Sequence, residues 1–375
     1  MSNKRFLIIT QVIDTDHPIL GFFHRWVAEF AAQCEHVHVI ALQVGKHDLP
    51  ANVTVHSLGK EHHQAGGPSL RRSAATGKVG PRAFSNTLTK LRYTIRFYRL
   101  IWRLRHEYDN VFVHMNQIYV LLGTPLWRVW RKQVGLWYAH GTVSPSLHAA
   151  VRHADFVFTS TPEGLQIDTP KRILVGQGID TAVFKLSSTK PAQPKSLQLV
   201  TVGRISQSKN IGTLLQACAA LKQAGFSFHF NIIGVGTTPA EASYEQQMRS
   251  LAHTLKLEAY VAWVGAVTQQ KLPGYLQAAD IFIHDGATNS LDKVLLEAVL
   301  CGCTVISSNP AYRSLTESIE PRLLFASNNH QQLSQIIQEA ATWPTKRTTT
   351  TAIRVHVQKS FSITGLVSAI VGTYK

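Results

Sequence analysis

Residues 199–210 read LVTVGRISQSKN, and this stretch decides how the rest of the chain is organised. Residues 199–202 are a short apolar run, rich in β-branched side chains, of the kind that forms a buried strand. Gly203 lets the chain turn sharply after it, and a helical pattern follows. Arg204 and Lys209 can then converge at the helix entrance, where backbone N–H groups also point outward. Such a cluster suits a diphosphate; the alternative is a surface loop with two solvated cations.

The alternation of short apolar runs with helical patterns continues on both sides of this stretch. Strands that alternate with helices indicate a parallel sheet covered on both faces, so the predicted class is α/β. Serine, proline and lysine are concentrated at 185–196, where we expect a linker. The prediction is two Rossmann-like, doubly wound domains facing a cleft: residues 1–184 with a mobile basic loop at 58–85, residues 197–355, and a C-terminal helix over 356–375 that packs back on the first domain.

Composition excludes several classes of protein. The chain has 375 residues, 45% of them hydrophobic, and 38 lysines and arginines against 22 acidic residues give a net charge of +16. This is too apolar for a disordered polyelectrolyte. Cys301 and Cys303 do not have the spacing of a zinc site, so no metal is expected. Since no apolar run reaches the roughly 18–20 residues that a membrane span needs, we expect a cytoplasmic protein.

A second motif covers residues 289–302. Asn289 or Ser290 is expected to cap a helix that begins near Asp292, and the N-terminal end of that helix favours phosphate or sugar oxygens. Glu297 falls among apolar residues of the same helix, where a carboxylate is costly without partners. Vicinal sugar hydroxyls would supply two hydrogen bonds side by side; an internal lysine or arginine is the alternative partner.

Four blocks of the second half resemble glycosyltransferase family 4, whose members are retaining, metal-independent enzymes with the GT-B fold. They occur in the family's order at residues 203–210, 232–236, 264–267 and 291–302. The first half resembles the family more loosely, through the loop at Gly21 and residues 138–141, 159–163 and 176–180. The resemblance implies transfer of a sugar from a nucleotide-sugar donor.

The resemblance also implies a role for each matching position. Arg204 and Lys209 would bind the donor diphosphate and stabilise it as it leaves, and Glu297 would hold the donor ribose. His140 would lie across the cleft near the reacting centre and complete the catalytic set. No cofactor is implied, because the nucleotide sugar is a co-substrate. The other expected donor contacts are Gly203, Gly234, Gly265, Val267, Asn289, Ser290, Leu291, Asp292 and Lys293, and Gly21 and His24 are expected on the acceptor side.

The sequence departs from the family's pattern at two places. The family's motif has two glutamates eight residues apart, and here Asn289 stands at the first position, so only Glu297 remains. This leaves open a second function, that of a nucleotide-sugar-binding scaffold with weak catalysis. The first loop has a single glycine, Gly21, where the family often has a pair.

Basic residues are concentrated in the first domain, with eleven lysines and arginines and one acid between residues 60 and 105. Read as a helix, residues 84–107 carry a stripe of arginines beside an apolar stripe of Leu88, Leu91, Ile95, Tyr98 and Trp102. Aromatic and cationic side chains together favour an anionic membrane surface. We expect a peripheral protein at the inner membrane face, with a glycolipid or glycan acceptor; the alternatives are an apolar stripe packed on the sheet, or nucleic-acid binding. The expected membrane contacts are Arg92, Arg96, Arg99, Arg103, Trp127 and Trp130.

Overall fold

The computed structural model describes residues 2–17, 20–61, 82–187, 196–286, 290–317, 319–342 and 346–375. These residues form two parallel sheets flanked by helices, and the predicted α/β class is confirmed. The domain boundaries drawn from the sequence stay a prediction.

The first sheet has seven strands in the order β3-β2-β1-β4-β5-β6-β7, and every pair is parallel. Phe6, Leu7, Ile8 and Ile9 of the central strand are fully buried, as expected for a strand covered on both faces. The strands are β1 Ser2–Ile13, β2 Cys34–Val44, β3 Val53–Ser57, β4 Asn110–His114, β5 Gln133–Trp137, β6 Phe156–Thr159 and β7 Arg172–Leu174.

The second sheet has five parallel strands in the order β10-β9-β8-β11-β12. Its central strand β8 contains the apolar run 199–202 and is flanked by β9 and β11. The bounds are β8 Leu197–Val202, β9 Phe228–Ile233, β10 Val261–Gly265, β11 Ile281–His284 and β12 Thr304–Ser307. The carboxyl ends of these strands meet at one edge of the sheet, where ligands bind in folds of this type.

Helices connect the strands, and several begin at the caps that their sequences provide. Thr238 and Glu241 form a reciprocal capping box at the start of one of them, with Pro239 in its first turn. The helices of the described residues are α1 Phe23–Gln33, α2 Arg82–Arg103, α3 Gln117–Val129, α4 Pro145–His153, α5 Ile211–Gln223, α6 Pro239–Thr254, α7 Leu272–Ala278, α8 Lys293–Cys301, α9 Pro310–Thr316, α10 His330–Thr342, α11 Lys346–Ser360 and α12 Ile363–Thr373.

The C-terminal segment returns to the first sheet. Its apolar residues, among them Leu366 and Ile370, join the core between α1 and the first sheet. Tyr374 is buried there, and its hydroxyl donates a hydrogen bond of 2.8 Å to the Val111 carbonyl. The single helix expected over 356–375 is wrong: α11 ends at Ser360 and α12 begins at Ile363. The Ser362 hydroxyl starts the new helix by accepting a hydrogen bond from the Gly365 N–H.

The main chain passes between the two sheets twice, and the two passages touch. The Ile179 N–H donates to the Phe361 carbonyl at 2.7 Å, and the Ile363 N–H donates to the Ile179 carbonyl at 2.9 Å. Ile179, before the second domain, and Ser362, after it, therefore form a short parallel β-bridge.

The basic segment forms helix α2, and residues 62–81 of the loop expected at 58–85 lie outside the described residues. Leu58, at the start of that loop, is fully buried. Trp127 was expected at the membrane surface, and this is wrong, because it is fully buried and its indole N–H donates to the Tyr108 hydroxyl at 3.0 Å. Gly123, one turn earlier on α3, leaves the room for the indole ring: a Cβ there would lie 2.2 Å from it.

Candidate functional site

Three glycines bring the loops after β8, β9 and β10 into backbone contact. The Gly203 N–H donates to the Ile233 carbonyl at 3.0 Å, and the Gly234 N–H donates to the Gly265 carbonyl at 2.8 Å. Gly234 has a φ of +134°, and a Cβ on it would lie 1.8 Å from the Gly203 carbonyl oxygen. Only glycine fits this position. The structure thus brings the predicted residues Gly203, Gly234 and Gly265 together at the carboxyl edge of the second sheet.

Lys209 and Arg204 follow the first of these glycines, and each is paired with a carboxylate. Lys209 ends a 3₁₀ turn just before α5, and its Nζ lies 2.5 Å from Asp292 Oδ2. Arg204 Nη1 lies 2.8 Å from Glu241 Oε1 at the start of α6, with about half of the arginine side chain exposed. Both cations therefore lie at the edge where the sequence placed them, but they contact different partners.

Asp292 is the centre of a small polar network. Its Oδ2 is 2.7 Å from His284 Nε2, and His284 Nδ1 is 3.2 Å from the Ser307 hydroxyl. Burial raises the pKa of the Asp292 carboxyl, but the His284 hydrogen bond and the Lys209 charge outweigh it and hold the pKa below its usual range. Asp292 is therefore ionised at neutral pH.

The start of α8 differs from the prediction. Asp292 occupies the cap position in place of Asn289 or Ser290, and its side chain makes no capping hydrogen bond because it turns toward Lys209 and His284. Asn289 lies outside the described residues. The Ser290 carbonyl accepts a hydrogen bond from the Asn309 amide at 3.1 Å, and the Leu291 carbonyl accepts one from Gln177 of the first domain at 3.0 Å.

Glu297 lies one turn further along α8 and is almost fully buried. Its Oε1 accepts a hydrogen bond of 2.9 Å from the Gln269 amide. Burial raises the pKa of Glu297, and the Lys293 charge and the Gln269 hydrogen bond oppose the rise. Lys293 is the charged neighbour of Glu297, as the alternative of an internal cation expects. Glu297 also lines the cavity described below, where a sugar could reach it.

Lys293 reaches from α8 to the first domain. Its Nζ lies 3.8 Å from the centre of the Phe22 ring, a cation–π distance. Burial lowers the pKa of Lys293 to about 8, against the charges of Glu297 and Asp180, which raise it. Asp180 itself pairs with Arg25 of α1 at 2.7 Å.

A cavity of about 300 Å³ opens between the two domains at this point. Its walls combine predicted donor residues with the predicted acceptor side. The second domain contributes Gln269, Lys293 and Glu297, and the first contributes Gly21, Phe22 and His24. His24 is half-buried, and its Nε2 accepts a hydrogen bond from the Asp48 N–H at 3.0 Å. The fold therefore brings Gly21 and His24 to the same space as Glu297.

His140 and Val267 lie outside this cavity lining. His140 is exposed on the loop after β5, and its main-chain N–H donates to the Gly164 carbonyl at 3.0 Å. Val267 is half-buried just after β10. Their roles stay predictions. Among the residues that the structure describes, no three histidine, cysteine or acidic side chains are grouped so that they could hold a metal ion.

Sequence reasoning missed three residues of the site. His284 binds Asp292, Gln269 binds Glu297, and Gln177 reaches across the cleft to the Leu291 carbonyl. His284 ends an otherwise apolar strand, and that polar residue at a strand's carboxyl end is a signal that could have found it. Gln269 and Gln177 carry no such signal in the sequence.

The outer face of α2 exposes four of the five apolar residues of the stripe that the sequence predicted. Leu88, Leu91, Ile95 and Trp102 are 63%, 53%, 50% and 55% exposed, and Trp102 packs edge-on against the half-buried Trp130 at 5.7 Å. The alternative that this stripe packs on the domain is wrong for these four residues, but Tyr98, the fifth residue of the predicted stripe, is half-buried against the core, and its hydroxyl donates to the Leu122 carbonyl at 2.9 Å. Phe97, Ile101 and Leu104 of the opposite face pack on the sheet. Arg92, Arg96, Arg99 and Arg103 are exposed beside the stripe. We call the four exposed apolar residues, the four arginines and Trp130 together the α2 outer face.

No helix within the described ranges combines the length and the apolarity required to span a membrane.

Residues 184–351 match the model of a family described as Glycosyl transferases group 1. AmsK of Erwinia amylovora, an amylovoran biosynthesis glycosyltransferase, is 32% identical over 149 residues, which are 38% of this chain and 34% of AmsK. WcaL of Salmonella typhimurium, named for colanic acid biosynthesis, is 27% identical over 179 residues, 45% of this chain and 42% of WcaL. The chain thus spans less than half the length of these curated relatives.

Two solved structures superimpose on nearly the whole chain. HepE of Anabaena, solved in complex with UDP, has a TM-score of 0.73 at 16% identity and covers 98% of this chain and 99% of its own. Sucrose-phosphate synthase of Thermosynechococcus elongatus has a TM-score of 0.74 at 17% identity, with 99% and 98% covered. The predicted two-domain fold that faces a cleft, GT-B, is confirmed.

Proposed function

We propose that the chain is a group 1 glycosyltransferase, because residues 184–351 match that family's model, and that it transfers a sugar from a nucleotide sugar to a glycan or a lipid-linked glycan. The observation that carries this proposal is the position of Lys209 and Arg204. Both follow the first glycine loop of the second sheet, and Lys209 pairs with Asp292 at the start of α8, the helix that carries Glu297 into the cavity between the domains.

The proposed chemistry follows from where charge develops. Breaking the bond between sugar and phosphate leaves negative charge on the departing diphosphate. Lys209 and Arg204 would stabilise that charge, and the loss of one such group costs about 3–4 kcal/mol of barrier in comparable sites. Glu297 would hold the ribose of the donor through its two oxygens, and His140 would lie near the reacting sugar.

We propose that the transfer retains the configuration of the sugar and needs no metal, as the resemblance implies. The acceptor hydroxyl would attack from the face that the diphosphate leaves, and the departing phosphate would take its proton. Gly21 and His24 would line the side from which the acceptor enters.

A UDP-sugar is the first donor to test, because HepE was solved with UDP. A thermal-shift screen with UDP, GDP, ADP and their glucose, galactose and mannose derivatives would identify the nucleotide. Stabilisation follows from binding to the folded state alone. Binding of a nucleotide sugar without any turnover would instead favour the scaffold function that Asn289 leaves open.

The first prediction concerns the two cations. Arg204→Ala and Lys209→Ala should each lower kcat/KM for hydrolysis or transfer by about 100-fold or more, because each removes a charge on the leaving group. The matched control is Arg249→Ala, an exposed arginine paired with Glu245 at 2.8 Å much as Arg204 is paired with Glu241. Activity that survives both site changes would exclude the proposal.

We further propose that the α2 outer face lies on the anionic inner face of a membrane, where a glycolipid or growing polysaccharide would be reached. Each exposed arginine near such a surface contributes about 1 kcal/mol, and Trp102 suits the interface. The shared use of apolar and basic side chains favours a bilayer over nucleic acid.

The second prediction tests this surface. The protein should float with vesicles that contain phosphatidylglycerol and remain behind with phosphatidylcholine alone. Arg92→Glu with Arg99→Glu should abolish flotation, whereas Arg249→Glu on the second domain should not. Equal flotation by the double variant would contradict the assignment, and a salt-dependent gel shift lost in the same variant would favour nucleic acid.

A further inference from the structure

The ammonium of Lys209 is already bound by a carboxylate of its own chain. Its Nζ lies 2.5 Å from Asp292 Oδ2, and the two side chains are only 17% and 22% exposed. Water screens such a pair less than a surface pair, so it is stronger than the pair that the half-exposed Arg204 makes with Glu241. A diphosphate that binds Lys209 must therefore compete with Asp292 for its ammonium.

His284 holds the carboxylate in place. His284 is buried at the end of β11, and the Ser307 hydroxyl next to it accepts a hydrogen bond from the Asn309 N–H at 3.1 Å. The Ser307 hydroxyl can then donate to His284 Nδ1, and His284 Nε2 donates to Asp292 Oδ2. Asp285, the next residue of the chain, faces away from the network and accepts hydrogen bonds from Ser308 and Ser327. The groups that face Asp292 are thus Lys209 and His284.

We propose that Asp292 is a positioning residue that competes with the donor diphosphate for the ammonium of Lys209, and that His284 fixes the competing carboxylate. This inference rests on the proposed function. With the donor bound, Lys209 turns from Asp292 to the diphosphate. After transfer, Asp292 takes the ammonium back and weakens the hold on the nucleoside diphosphate. Asp292 acts through Lys209 and changes no bond of the substrate.

Loss of the competing carboxylate should change the affinity for UDP in the opposite direction from structural damage. Damage to the site weakens binding, whereas removal of the competitor strengthens it. Asp292→Asn removes both the partner of Lys209 and a negative charge beside the diphosphate, and like charges at close range are costly. UDP should therefore bind Asp292→Asn about tenfold more tightly than it binds the wild type.

The experiment titrates UDP, with GDP and ADP in parallel, into wild type, Asp292→Asn, Lys209→Met and the double variant by calorimetry, and measures UDP release by stopped flow. We expect slower release from Asp292→Asn, with kcat and KM falling together. In the Lys209→Met background the gain from Asp292→Asn should fall to about threefold or less, because the two residues are coupled. His284→Gln should tighten UDP binding in the same direction as Asp292→Asn, by a smaller factor.

Asp285→Asn is the matched control, since it removes a buried carboxylate from the same strand end without touching Lys209, and it should not tighten UDP binding. Unchanged or weaker UDP binding by a folded Asp292→Asn protein would overturn the proposal while the proposed function stands. Failure of UDP, GDP and ADP to bind the wild type would overturn the proposed function, and this inference with it.

Discussion

His114 is a buried histidine at the end of β4, stacked on the Phe23 ring with centroids 4.0 Å apart. Burial lowers its pKa to about 3, and the charge of Lys293 acts in the same direction. The folded chain therefore keeps this imidazole neutral down to a pH at which the unfolded chain has long bound a proton. The folded state loses stability as the pH falls from 6.5 toward 3, because the unfolded state then binds more protons.

The third prediction follows from this loss of stability at low pH. His114→Phe keeps a ring against Phe23 and removes the proton site. The fall in unfolding free energy between pH 7 and pH 4 should be smaller than in the wild type by about 3 kcal/mol, as measured by urea unfolding. His153→Phe, at the exposed end of α4, is the control and should keep the wild-type pH dependence. Parallel pH curves for His114→Phe and the wild type would show that His114 is not the source.

At this scale, the sequence was informative where a residue type stands out from its surroundings. Lys209 and Arg204 follow a strand and a glycine, and Glu297 interrupts an apolar helix, so their positions at the site were predicted. Gln269 is a polar residue in a polar loop, and nothing in its spacing shows that it binds Glu297. Such a contact depends on how loops fold over one another, which local patterns do not encode.

The glycine loops at the edge of the second sheet are the element on which the site is built. Gly234 approaches the Gly203 carbonyl so closely that no side chain fits. The loop that carries Arg204 is consequently held by the loop after β9.

The fourth prediction is that Gly234→Ala destabilises the protein by about 2–4 kcal/mol and moves the Gly203 loop, because a Cβ meets backbone that cannot give way and φ is positive. Nucleotide binding should weaken along with stability. Gly274→Ala is the control: Gly274 is exposed on α7 with open space around it, and this change should be neutral or stabilising. Calorimetric unfolding measures the stability of both variants, and equal midpoints for Gly234→Ala and the wild type would contradict this prediction.

Helix α2 shows what an element's sequence leaves undecided. The spacing predicted a helix over 84–107, and the helix runs from Arg82 to Arg103. Two apolar sets lie on it at helical spacing, one with Leu91 and Ile95 and one with Phe97 and Ile101. Either could have packed on the sheet, and only the surrounding core selects the second set.

On the scale of the whole molecule, the two-domain architecture followed from the β/α rhythm and the linker composition. The contacts between the domains did not. Lys293 reaches Phe22, and Gln177 reaches the Leu291 carbonyl, only in the relative orientation of the two sheets. No pattern along the chain specifies that orientation, so the cavity could be expected but not outlined.

The fifth prediction concerns the return of the chain to the first sheet. Tyr374→Ala should lower the free energy of unfolding by about 3–5 kcal/mol, because it empties a large buried site beneath the first sheet. Tyr374→Phe should cost about 1 kcal/mol, since it removes only the hydrogen bond to the Val111 carbonyl. Urea unfolding of both variants measures the difference. Wild-type stability of Tyr374→Ala would mean that the returning segment does not support the first domain.

The paired passages of the main chain at Ile179 and residues 361–363 limit how the cleft can open. Two passages that are hydrogen-bonded to each other restrict rotation between the domains more than a single flexible strand would. We expect the cleft to open mainly by rotation about the line of these two strands. The margin of the cleft farthest from these two strands would then travel the greatest distance.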